Sequence, residues 1–120
     1  MSVATVRAAI AAALSTVSGV TVHAYPSPNL SGTGTGWMVV RGGTTASYGG
    51  QLDIEFGAVV LLGQDDAQAE VCLDTWVGDL ITAWDSAMPT ADLSAEASTV
   101  AVPGGTALML ALILTGTVEV

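Results

Sequence analysis

One histidine, one cysteine and eleven carboxylates are the side chains of this chain that could do acid–base, nucleophilic or metal chemistry. His23 could serve as a general base, yet no serine or cysteine near it forms a nucleophile motif. It also falls on the polar side of an alternating run, where a surface or interface histidine is the plainer reading. Cys72 lies on an apolar helical stripe with no base close in sequence, which describes a buried thiol better than an activated one. A single cysteine forms no internal disulfide, and with a single histidine it supplies no ordinary zinc ligand set. Asp53 and Glu55, two apart on a strand, share a face as the paired carboxylates of glycosidases do. No second acidic cluster of suitable character accompanies them, so a solvated strand face is expected. Gly32, Gly34 and Gly36 form a G-x-G-x-G string, but a phosphate cradle must lead into a helix amino terminus and this string leads into a strand. Asn29-Leu30-Ser31 matches a glycosylation sequon without the secretory context that gives it meaning. No catalytic, cofactor-binding or metal residues are expected, and no cofactor.

Two side chains keep a functional reading. Arg7 and Arg41 are the only cations against eleven acids, and only they can fork onto a carboxylate across a contact between identical subunits. An ordinary pairing within the chain is the competing reading for each, and the sequence leaves both open.

The composition asks for such a contact. Hydrophobic residues are 51% and charged residues 11%, against roughly 25% charged in an ordinary soluble domain. Such a chain either enters a membrane or hides surface against partners. The longest strongly apolar run, Ala107 to Leu114, is far shorter than the roughly 20 residues a spanning helix needs. The run from Val3 to Val17 is interrupted by Thr5, Arg7, Ser15 and Thr16, so no cleaved leader is expected. A formal charge of -9 opposes any grip on phosphate backbones, although an acidic surface could face DNA without holding it.

Periodicity supplies the elements that would position these residues. Ser2 caps a helix whose stripe is Val3, Val6, Ile10, Leu14 and Val17, and Gly19 stops it. Val20 to Tyr25 alternates as a strand and Pro26 ends it. The polar stretch 26–36 has little to bury and is expected to be a mobile loop. Trp37 to Arg41 forms a second strand, Gly42 to Gly50 a glycine-rich turn region, and Gln51 to Gly63 a third strand. Asp65 and Asp66 open a helix striped by Cys72, Leu73, Trp76, Val77, Leu80, Ile81 and Trp84, closed by Ser86 to Pro89. A polar connection follows through Thr90 to Ala95, then two β-prone runs, Ala97–Val102 and Thr106–Val120, split by Pro103-Gly104-Gly105. The expected class is α+β: a mainly antiparallel β-sheet with two α-helices packed on one face, in one domain spanning 1–120. The second and third strands form a long hairpin, from Trp37 to Phe56, with Tyr48 at its tip.

This order, with VRAAIAAAL leading through VTVHAYP to a loop, then WMVVRGG, LDIEFGAVVLL, DDAQAEVCLDTWVGDLI and the ending ALMLALILTGTVEV, resembles the tail terminator family of long-tailed bacteriophages across nearly the whole chain. The resemblance implies a structural virion protein, not an enzyme. It would be made in the host cytoplasm and assembled in the neck region of the tail. It implies a homo-oligomeric ring, usually of six copies, on the head-proximal end of the tail tube. That ring ends tube polymerisation and meets the tube protein on one side and the head–tail connector on the other, with DNA passing through its lumen unbound. The family offers no fixed contact residues to transfer. The subunit-interface residues expected from this chain itself are Arg7, Trp37, Arg41, Tyr48, Asp53 and Glu55. Another head–tail joining or tail-completion protein would have similar size and texture, and a small α/β enzyme or ligand-binding domain would need a polar cluster in a closed pocket.

Overall fold

A computed structural model describes residues 2–28, 30–45, 52–105 and 107–120. Helix α1 runs from Val3 to Leu14, its first turn closed by the Ser2 hydroxyl, which accepts the Thr5 amide at 3.1 Å. Val6, Ile10 and Leu14 are fully buried, so the stripe read from spacing is the packed face. After the helix, the Ser15 hydroxyl donates to the Ala11 carbonyl at 2.8 Å and accepts the Val22 amide at 2.9 Å, tying the helix end to the strand that follows.

The strands are β1 Thr21–His23, β2 Thr35–Thr45, β3 Leu52–Gly63, β4 Ala91–Ala101 and β5 Leu108–Glu119, and helix α2 spans Asp66–Ala87 between β3 and β4. They form one sheet in the order β1-β2-β3-β5-β4. Every neighbouring pair is antiparallel except β1 with β2. The α+β architecture expected from the sequence is the one observed. Both helices contribute to a single core cluster, in which Val6, Ile10, Leu14, Trp76, Leu80 and Trp84 meet Met38, Phe56, Ala58, Val60, Leu112 and Leu114 of the sheet. The helices thus cover one face.

The other face carries a smaller cluster of Trp37, Val59, Leu61, Met109, Ala111 and Ile113, and no helix touches it. Its cover is Leu30, 7% exposed, and Val102. The segment 26–36, expected to be a mobile loop with little to bury, is exposed over most of its described residues but does bury Leu30. It must return the chain to run β2 parallel to β1, and Leu30 anchors it on the way. Gly34 completes the crossover: its amide bonds the Leu61 carbonyl at 2.8 Å and its carbonyl accepts the Thr21 amide at 2.9 Å. With φ +83 and the Gly19 carbonyl lying where a Cβ would point, only glycine fits there.

Three boundaries move from expectation. β1 is shorter than Val20–Tyr25, β2 continues through Gly42 and Gly43 past a bulge at Arg41, and β4 begins inside the stretch expected to be a polar connection. The first half of β4, Ala91 to Glu96, was hard to see because none of its residues is buried, so it shows no apolar alternation. The long hairpin is also less free than its length suggests. β3 has β2 on one side and β5 on the other along its described length, and Leu52 exchanges backbone bonds with Val120.

Candidate subunit interface

Arg7 sits half-buried on α1 and acts within the chain. Its Nη1 donates to the carbonyls of Ala24 at 3.1 Å and Met38 at 3.0 Å, and its guanidinium carbon lies 4.5 Å from the centroid of the Tyr25 ring. β1 stops at His23, so the Met38 carbonyl would otherwise face open space on the edge of β2. Arg7 supplies the donor that the short strand lacks. Of the two readings left open for this arginine, the structure displays the intrachain one.

Trp37 is a core residue: it is 6% exposed and packed in the cluster under Leu30. The isolated chain does not present it for contact. Tyr48 and the greater part of the hairpin tip lie outside the described residues.

Arg41, Asp53 and Glu55 do come together. The bulge at Arg41 turns its side chain onto the sheet face opposite the helices, where it lies across Gly57; a Cβ there would come within 2.9 Å of Arg41 Cδ. Asp53 and Glu55 share that face, as their spacing requires, and with Arg41 and Thr117 they line a shallow depression of about 200 Å³. Arg41 Nε stands 3.8 Å from Glu55 Oε1, beyond hydrogen-bond reach, and both side chains are about half exposed. A contact this long and wet contributes under about 1 kcal/mol. Arg41 is therefore loosely held and able to reach a better acceptor. Glu119 lies directly across from Asp53, and Glu96 on β4 belongs to the same face through its pairing with Ile113, opposite Val59. Among the described residues four carboxylates and one cation, Arg41, thus share this sheet face, with only Asp53 and Glu55 lining the depression beside Arg41.

The residues weighed for catalysis are not assembled. His23 is exposed on β1 and Cys72 is half-buried on α2, while Gly34 and Gly36 lie in the crossover and in β2, not before a helix. Among the described residues no group of three or more His, Cys, Asp or Glu could hold a metal ion, and no polar or charged residue is buried. A cleft of about 570 Å³ between the crossover and the β4–β5 turn, lined by Ser31, Thr33, Gln64 and Val102 among others, has no ionisable side chain.

Sequence reasoning missed the two sheet edges. β4 is an outer strand of eleven residues, and among the described residues no strand is hydrogen-bonded beyond it. The Val102 amide bonds the Ala107 carbonyl at 3.0 Å, and alternation along the pair then turns the amides and carbonyls of Ala95, Ala97, Thr99 and Ala101 outward. On the opposite side β1 covers only Thr35–Trp37, so that among the described residues no strand covers β2 from Val40 onward, and Val40 is 40% exposed. The β-prone run from Ala97 marks the second half of β4, but nothing in it marks an outer edge. The chain matches no protein-family model and no curated protein sequence.

Proposed function

We propose that this chain is a structural subunit of a phage tail: a tail terminator that closes into a ring at the head-proximal end of the tail tube, ends tube growth and joins the tail to the head connector. The observation that carries the reading is the pair of open sheet edges, β4 and the outer half of β2, on a chain with 51% hydrophobic and 11% charged residues. Monomeric proteins guard long edge strands with lysines, prolines or a covering segment. From Ala97 to Ala101 β4 carries none of these. Edges at opposite ends of one sheet suit head-to-tail contacts, which close into rings when the rotation between copies allows it.

The resemblance in element order and sequence texture gives the ring its place in the virion. Charge supports the role of the lumen: with a net -9 and Asp53, Glu55, Glu96 and Glu119 on one sheet face, DNA passing nearby would be repelled and not held. The test is tube termination. Added to polymerising tube protein from its own phage, the purified chain should shorten the tubes and sit at one end of each by negative-stain microscopy. Tubes of unchanged length without an end density would refute the reading.

A further inference from the structure

We infer that two free copies of this chain pair through the outer edge of β4, antiparallel about a two-fold axis at Thr99, so that Ala97 of each copy lies opposite Ala101 of the other. The inference goes beyond the ring reading and does not depend on it. Such a pair closes on itself, leaves Arg41 to the ring contact, and is the state of subunits that have not met a tail.

Among the described residues this edge is open and carries no charge. Ala97, Ser98, Thr99 and Ala101 are exposed, and the run Ala97–Ala101 holds no lysine, proline or acid. The amides and carbonyls of Ala97, Thr99 and Ala101 turn outward, because the even-numbered residues bond β5, as Val102 does to Ala107. Leu108, opposite Ala101 and on the helix side of the sheet with Leu110 and Leu112, is 62% exposed, because the alanine beside it covers little of it. A strand laid beyond Ala101 extends the sheet that this leucine rests on.

Register follows from bonding and charge. Outward groups meet outward groups only when odd-numbered residues face odd-numbered ones, so the axis must fall on a residue and not between two. An axis at Ala97 brings the two Glu96 positions within about 7 Å along the strands, and one at Ser98 sets each Glu96 against Val100 of the other copy. An axis at Val100 sets Ala97 against Pro103, which has no amide hydrogen. An axis at Thr99 pairs every outward group of Ala97, Thr99 and Ala101. It also leaves the Glu96 positions about 20 Å apart, twice the screening length of about 10 Å at 0.1 M salt. Another acid near the edge, Glu70 of α2, shares a small apolar pocket with Ala97, and the two Ala97 positions then stand about 14 Å apart.

β2 is the less accessible partner. Through Leu112 and Val60, Ala97 stands level with Gly36, which β1 already covers, so copies set side by side must slide before β4 reaches the uncovered part of β2. The two-fold pair needs no slide.

The experiment is sedimentation equilibrium of the full chain over a concentration series in physiological salt, with circular dichroism to confirm folding. The parent should populate a dimer as concentration rises. Thr99→Pro removes the central amide from both sides of the joint and leaves the bonds to β5, so it should stay folded and lose the dimer, while Thr99→Val should keep it. Should Thr99→Pro unfold, two single-cysteine chains replace it, Ser98→Cys and Val100→Cys, each in a Cys72→Ser background. The register sets Ser98 of one copy opposite Val100 of the other in the closer, non-bonded kind of pair, so the mixture should oxidise to a mixed dimer and neither variant alone should cross-link. A parent that stays monomeric throughout, a folded Thr99→Pro chain that still dimerises, or a mixture that yields no mixed dimer overturns the pairing; Ser98→Cys linked to itself overturns the register. None of these outcomes bears on tube termination, by which the ring reading is judged separately.

Discussion

The two arginines separate once their surroundings are known. Arg7 completes a sheet edge from inside the chain, so Arg7→Ala should leave two carbonyls short of a donor and lower stability by about 2 kcal/mol, within the usual range for charge-assisted hydrogen bonds, as read from denaturant unfolding. Arg7→Lys should recover only part of this, because a single ammonium does not reproduce the guanidinium stacked on Tyr25. Arg41→Glu should do the reverse, shifting the unfolding midpoint little and weakening association strongly; equal loss of both would return Arg41 to a purely intrachain role. Neither outcome was legible from sequence. The carbonyls that hold Arg7 come from positions 17 and 31 residues away, and no spacing rule connects a helix arginine to a strand edge that exists only after folding. The shared face of Asp53 and Glu55 was legible, because alternation along a strand is local geometry.

Elements with a buried face announced themselves. The stripe Val6, Ile10, Leu14 and the stripe Trp76, Leu80, Trp84 mark the packed sides of α1 and α2, and β3 and β5 show the apolar runs of strands covered on both faces. What failed were elements defined by a neighbour's needs. The crossover from β1 to β2 reads as polar with little to bury, yet Leu30 closes the back of the sheet over Trp37 and Leu61. Leu30→Ala should therefore cost about 2–3 kcal/mol, as a buried leucine does, and raise the fluorescence emission wavelength as Trp37 becomes wetted. A loop that merely connected would tolerate the change. The start of β4, Ala91 to Glu96, failed for the opposite reason: a stretch of edge strand with no buried residue has no pattern to display, and its ladder to β5 alone defines it.

At the scale of the whole molecule, eleven acids and two bases set how copies approach one another. Each subunit repels the next over a distance that salt shortens to about 10 Å at 0.1 M. Raising ionic strength should therefore promote association, a dependence that sedimentation at several salt concentrations would record. Duplex DNA should show no retention by the protein even at low salt, where a cationic groove would bind most tightly. The most direct measurement is electron cryomicroscopy of the intact phage particle. A ring of this chain between the tail tube and the head connector is the expected result; a particle that lacks the chain, or holds it away from that junction, would contradict the account.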